Sequence, residues 1–175
     1  MAAVQRLNHA VLYVGNVIRS VDFFVRHLGF EVAYQMPGAA FLRSADSAND
    51  HDLGLFEVGI DSPGPQQGRK GLYHLAWQVD TINDLAAIRE TLLADGALVG
   101  ESDHGASKSL YAKDPDGIEF EVMWATPAAQ RPPGAGVARL DLEGELARWA
   151  GVGTGHEANV PACNPVVSGD DEATG

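Results

Sequence analysis

The chain has 175 residues, a formal net charge of -12 and a hydrophobic fraction of 45%, which suits one domain or two small halves that share a core. Because such an acidic surface repels phosphate backbones and anionic lipid, we expect no nucleic-acid and no membrane partner. No apolar run approaches the roughly 18 residues of a membrane span, and residues 1–7 lack the pattern of a secretory signal. One cysteine, Cys163, excludes an intrachain disulfide. We therefore expect a cytoplasmic protein.

The first half of the chain predicts a strand, a helix and three more strands. Their expected ranges are 9–14, 20–29, 30–34, 40–43 and 53–58. Ser20 is the predicted N-cap of the helix and Gly29 its end. His27 is interpreted as a favourable charge at the C-terminus of this helix.

The second half repeats this order after a linker rich in proline and glycine, residues 61–71. Its strands are predicted over 73–79, 97–99, 109–113 and 118–124, and Thr81 is the predicted cap of a helix that ends near Asp95 and Gly96. The tight turn Asp114-Pro115-Asp116-Gly117 joins the last two strands. The sequence thus predicts two equivalent modules, 5–60 and 72–126.

Composition changes after residue 126, where several prolines and glycines indicate a linker. The segment 140–149 places Leu142, Leu146 and Trp149 at helical spacing, which predicts a short amphipathic helix. This helix could lie over a neighbouring subunit or over the mouth of a cleft. The end of the chain from residue 151 onward is expected to be mobile.

His9 and His74 occupy matching positions in the first strands of the two modules. A pseudo-two-fold arrangement would set these strands side by side and aim both imidazoles into one cleft. Glu121 alternates with Phe120 and Val122, so it lies on the other face of the last strand. A carboxylate there is costly to bury without a partner or a metal ion. Two imidazoles and one carboxylate suit non-haem Fe(II), and also Mn, Zn or Ni. The alternative is that all three are ordinary core or surface residues.

The segments 8–14, 23–30, 73–79 and 114–121 resemble the vicinal oxygen chelate superfamily. This superfamily includes glyoxalase I, the fosfomycin- and bleomycin-resistance proteins and the type I extradiol ring-cleaving dioxygenases. The resemblance covers about residues 5–126. It implies an α+β fold in which paired βαβββ modules form an incompletely closed mixed β-barrel around a metal cleft.

Two further segments are similar to the extradiol branch. Residues 104–111 resemble a stretch that carries an active-site His and Tyr, which would be His104 and Tyr111 here; residues 49–55 resemble one that carries an acid/base histidine, here His51. The resemblance implies that a catechol and dioxygen react at Fe(II) held by His9, His74 and Glu121. His51 would move protons.

Other members of the superfamily imply other functions. A glyoxalase I-like isomerase or an epimerase would use Zn or Ni and a fourth carboxylate, for which Asp52 and Glu57 are the candidates. A metal-free drug-binding resistance protein of the same fold would sequester its ligand between two protomers. Because one-domain forms leave strand edges exposed, we also expect a homodimer or a higher homo-oligomer.

Overall fold

The structure is a computed structural model that describes residues 2–134 and 136–153. Its first module contains the following elements: β1 (Ala10–Val14), α1 (Val17–Leu28), β2 (Glu31–Met36), β3 (Ala39–Arg43) and β4 (Leu53–Glu57). Its second module contains a matching set: β5 (Leu75–Val79), α2 (Ile82–Ala94), β6 (Leu98–Asp103), β7 (Ser107–Lys113) and β8 (Glu119–Ala125). A 3-10 turn (Ala128–Gln130) and α3 (Leu142–Trp149) follow.

Each module forms one four-stranded mixed sheet. The strand orders are β1-β4-β3-β2 and β5-β8-β7-β6, and in each sheet the first and last strands of the module pair in parallel. The other pairs are antiparallel, and each sheet has a bulge at the same place, between its second and third strands. The predicted α+β fold with repeated βαβββ modules is therefore confirmed, and the sheets do not close into a barrel.

Side-chain caps define the two long helices. Helix α1 begins at Val17, not near Ser20, because the side chain of Asn16 accepts the N–H of Arg19. Gly29 ends the helix at φ 69°, a left-handed conformation that favours glycine. Thr81 caps helix α2 as predicted, and its side chain and backbone exchange hydrogen bonds with Asp84 in a capping box.

The two helices lie between the sheets and create one shared core. Helix α1 contacts β3 and β4, helix α2 contacts the strands of the second sheet, and the helices contact each other. Phe23 and Phe24 of α1 pack against Phe120 of β8, with ring centroids 5.9 and 6.0 Å apart. Since one face of each sheet turns toward this core, the opposite faces of the two sheets both turn outward.

His27 lies in the last turn of α1, as predicted, and it also belongs to this helix interface. It is buried, and its ring nitrogens lie 3.0 Å from the Thr91 hydroxyl and 2.9 Å from Asp95. The sequence did not indicate the partners of His27, because the prediction considered only the helix that carries the histidine. The partners come from α2, more than sixty residues away.

The segment after residue 126 adds a layer to the core. Leu140 and Trp149 are buried, and the Trp149 ring lies 5.8 Å from that of Trp124 on β8. Glu145 accepts the indole N–H of Trp149 and lies 3.2 Å from the buried ammonium of Lys108 on β7. Helix α3 therefore packs on the core side of the second sheet. Of the end predicted to be mobile, residues 154–175 lie outside the described part of the chain.

Within the described residues, none of the helices is long and apolar enough to cross a membrane.

Candidate metal-binding and catalytic site

The outward face of the second sheet gathers four of the residues that the sequence singles out. Glu121 on β8 is paired in register with Tyr111 on β7, so their side chains share a face. His74 directly precedes Leu75, whose register partner is Phe120, so His74 lies beside the positions of Glu119 and Glu121. We call His74, Glu119, Glu121, Tyr111 and His104 the second half-site.

His74 and Glu121 are positioned as two ligands of one ion. Nε2 of His74 lies 3.2 Å from a carboxylate oxygen of Glu121, and both side chains are largely buried. Two donors about 2.1 Å from a common metal, at roughly a right angle, are about 3 Å apart. The spacing of this pair therefore fits a divalent ion.

Tyr111 and His104 form a polar pair beside these two residues. The Tyr111 hydroxyl lies 2.9 Å from Nε2 of His104, which is in the turn between β6 and β7. Burial raises the pKa of Tyr111, and the nearby carboxylate of Glu121 raises it further. The phenol therefore stays protonated at neutral pH and is available as a hydrogen-bond donor.

His9 and His51 lie together on the outward face of the first sheet, and we call this pair the first half-site. Their ring centroids are 4.6 Å apart. Nδ1 of His9 lies 2.8 Å from the side-chain oxygen of Asn8, which can only accept. Nδ1 of His9 therefore carries the hydrogen, and its Nε2 is left free to bind a metal ion.

His51 has a similar arrangement with a carboxylate. Its Nδ1 lies 2.9 Å from Asp50, and this hydrogen bond is the main reason why the pKa of Asp50 is lowered. A carboxylate that remains ionised accepts the Nδ1 hydrogen, which makes Nε2 of His51 the basic nitrogen. The pair has the geometry of an acid/base histidine with an orienting carboxylate.

The two candidates for a fourth metal ligand are engaged elsewhere in the fold. Glu57 accepts the N–H of Val17 at the start of α1. Asp52 accepts hydrogen bonds from Ser44 N–H, Ser47 Oγ and Asn49 Nδ2. Burial opposes ionisation of Asp52, but these hydrogen bonds outweigh it and lower its pKa. Both carboxylates therefore stabilise local structure.

The structure does not bring His9 to His74 and Glu121 within one chain. In residues 2–134 and 136–153, no group of three or more His, Cys, Asp or Glu side chains could hold a metal ion. The reason is the position of the helices: with α1 and α2 between the sheets, the half-sites lie on outward faces that turn away from each other. The sequence-based prediction placed both imidazoles in one cleft because it assumed that the two sheets surround a common cavity.

The outward face of the first sheet is also unusually apolar for an exposed surface. Tyr13 is 73% exposed, Tyr34 58%, Val11 51% and Phe56 38%. Phe41 joins this group, with its ring 5.1 Å from that of His51. Contiguous exposed apolar residues of this kind mark binding surfaces.

Sequence reasoning did not single out three residues that lie beside the candidate histidines. Asn8 and Asp50 each precede a singled-out histidine, and a polar neighbour able to accept from Nδ1 is the signal that could have found them. Glu119 lies on the same face of β8 as Glu121 and was not singled out. Its carboxylate lies 3.9 Å from Nδ1 of His74.

Comparison with known proteins places the chain in a family. A model of the Glyoxalase/Bleomycin resistance protein/Dioxygenase superfamily matches residues 6–122, and the chain belongs to this superfamily. Biphenyl-2,3-diol 1,2-dioxygenase 3 of Rhodococcus globerulus is 30% identical over 135 residues, which cover 73% of this chain and 68% of that protein. Catechol-2,3-dioxygenase of Bacillus subtilis is 28% identical over 120 residues, 66% of this chain and 40% of that protein.

Another relative is the manganese-dependent 2,3-dihydroxybiphenyl 1,2-dioxygenase of Geobacillus genomosp. 3. It is 28% identical over 138 residues, and the match covers 76% of this chain and 41% of that protein. The chain thus spans about two fifths of the length of two of these three relatives.

Solved structures share the fold at low identity. A glyoxylase/bleomycin resistance protein/dioxygenase domain from Frankia sp. EAN1pec superposes with a TM-score of 0.58 and 20% identity, over 71% of this chain and all of that one. The fosfomycin resistance protein FosX from Listeria monocytogenes gives a TM-score of 0.56 and 20% identity, over 74% of this chain and all of that one. At this identity the likeness shows the fold alone.

Proposed function

We propose that the protein is a metal-dependent extradiol dioxygenase that cleaves the ring of a catechol-type substrate with dioxygen. The observation that carries this proposal is the second half-site, where the His74 and Glu121 donors lie beside the hydrogen-bonded Tyr111 and His104 pair. The curated relatives support the same chemistry, since they are named as dioxygenases of catechol or biphenyl-diols.

We propose further that a second copy of this chain completes each site. His9 and His51 of one copy would approach His74 and Glu121 of the other, which supplies the third protein ligand that one chain lacks. This arrangement would cover the exposed aromatic face of the first sheet, where Tyr13 and Tyr34 stand in solvent. A symmetric dimer of this kind would contain two identical sites.

Individual residues of the chain would have separate roles in the reaction. Nε2 of His51 accepts the proton of a catechol hydroxyl, and the resulting imidazolium returns it later as a general acid. The Tyr111 hydroxyl, held by His104, donates a hydrogen bond to a substrate or intermediate oxygen that gains negative charge. The ring carbon–carbon bond next to the diol is broken, and both atoms of dioxygen enter the ring-opened product. The metal, when bound, supplies the electronic coupling between catechol and dioxygen.

Fe(II) is the metal that we propose first, because two imidazoles and one carboxylate leave open positions for substrate and dioxygen. Mn is the second choice, and one relative is named as manganese-dependent. Zn or Ni would suit an isomerase with a fourth protein carboxylate. The structural engagement of Asp52 and Glu57 disfavours that alternative.

The test is to load the protein with Fe(II) or Mn(II) without oxygen, add simple and aryl-substituted catechols, and then admit dioxygen. We expect a yellow ring-fission product and one dioxygen consumed per catechol. Zn- or Ni-dependent isomerisation without oxygen uptake would instead support the glyoxalase-like or epimerase function. Ligand binding that is unaffected by chelators, with no turnover, would support a metal-free drug-binding protein.

A further inference from the structure

Glu119 is the residue of the second half-site to which the proposed reaction gives no role. It is two positions before Glu121 on β8, so both carboxylates are on the same face of the strand. His74 lies between them: its Nε2 is 3.2 Å from Glu121 and its Nδ1 is 3.9 Å from Glu119. The two side chains therefore flank the two nitrogens of one imidazole.

The second nitrogen of His74 needs a partner. Nδ1 is buried and makes no hydrogen bond within the described part of the chain. If Nε2 binds a metal ion, the neutral ring must carry its hydrogen on Nδ1, and a buried N–H without an acceptor is costly. Glu119 is about one ångström beyond hydrogen-bond distance, and a small change in its side-chain torsions would close that gap.

We infer that Glu119 is a positioning residue that accepts the Nδ1–H of His74 and so fixes the tautomer and ring orientation of this metal ligand. The inference rests on the proposed function in one respect, that His74 binds metal through Nε2. A carboxylate in this position makes the imidazole a stronger donor and typically changes metal affinity 10–100-fold.

Lys113 offers the alternative explanation. It is the register partner of Glu119 on β7, so Glu119 could simply serve a cross-strand ion pair. In that case the loss of Lys113 and the loss of Glu119 would have the same effect. The two roles can be separated because only the positioning role reaches the metal through His74.

The experiment titrates the full chain with Mn(II) and Co(II) by calorimetry, in the wild type and in Glu119→Val, Glu119→Gln and Lys113→Gln. We expect Glu119→Val to weaken metal binding at least about 10-fold. Glu119→Gln keeps a carbonyl acceptor and should recover most of the affinity, while Lys113→Gln should bind like the wild type. Glu119→Ala replaces the valine variant if its near-ultraviolet circular dichroism shows a disturbed fold.

Pulsed electron paramagnetic resonance of the Cu(II)-loaded protein gives a signal that would not change if Glu119 had a purely structural role. The signal of the remote imidazole nitrogen depends on its hydrogen bond, so it should change in Glu119→Val and not in Lys113→Gln. Wild-type affinity and an unchanged nitrogen signal in Glu119→Val would overturn this inference but leave the proposed metal site intact. A wild-type chain that binds no metal would overturn the proposed metal site, and this assignment with it.

Discussion

Two inactive variants should restore each other's activity if the site is shared between copies. His9→Ala removes a donor from the first half-site, and Glu121→Ala removes one from the second. In a mixed dimer one site then carries both defects. The other combines the intact His9 of one copy with the intact His74 and Glu121 of its partner.

The size of the effect follows from counting sites. When equal amounts of the two variants exchange subunits freely, about half of the dimers are mixed and each holds one complete site out of two, so about a quarter of all sites are functional. Each variant alone should show almost no turnover, because both of its sites lack a ligand. The expected activity of the mixture is therefore about one quarter of that of the wild type.

The assay mixes the differently tagged variants, confirms mixed dimers by tandem affinity purification, and measures ring-fission product and dioxygen uptake. His74→Ala mixed with Glu121→Ala is the matched control: both changes fall in the second half-site, so neither site of the mixed dimer is complete and no recovery is expected. Mixed dimers of His9→Ala and Glu121→Ala that remain inactive would show that each site is built within one chain. Our account of the half-sites would then be wrong.

Four further changes test other parts of the structure. His51→Gln should lower kcat about 100-fold or more, as expected for the loss of a general base, with metal affinity unchanged in calorimetry. Tyr111→Phe should lower kcat at unchanged metal content. Because burial raises the pKa of Tyr111, the pH–rate profile of the wild type should show no loss of activity from phenol ionisation below about pH 10. Burial raises the pKa of Asp114 to about 6. The stabilising contribution of this carboxyl group is therefore fully present below about pH 4 and is lost as the pH rises through about 6. In urea unfolding, the wild type should lose on the order of 3 kcal/mol relative to Asp114→Asn over this interval, and stability–pH curves that run parallel for the two proteins would refute this. Trp149→Ala should lower the free energy of urea unfolding by about 3 kcal/mol, and a change below 1 kcal/mol would show that α3 is not part of the core.

The elements of the fold could be predicted because each carries a local signal. Alternation of apolar residues identified the strands, and Thr81 and Gly29 marked helix boundaries through their own side chain or backbone freedom. The start of α1 was missed because Asn16 and Ser20 are both good caps, and only the backbone conformation distinguishes them. The partners of His27 were missed for a different reason, since they depend on how α1 meets α2.

The candidate site was predictable within each sheet and not between sheets. The proximity of Glu121 to His74 and Tyr111 follows from strand pairing, which repeats and turn signals specify. The separation of His9 from this group depends on which sheet faces turn toward the helices. Both arrangements bury the same apolar positions within a module, so the hydrophobic pattern does not distinguish them.

Helix α3 shows that the part of this chain that shares one core extends beyond the part that the family model matches. The family match ends at residue 122, yet Trp149 covers Trp124 and Glu145 faces the buried ammonium of Lys108. A fragment that keeps β8 but ends before α3 would leave that ammonium with Asp103 as its remaining partner and expose the Trp124 ring behind the strands that carry Tyr111 and Glu121. Substitutions in this distal segment are therefore expected to change the rigidity of those strands without contacting the residues of the second half-site.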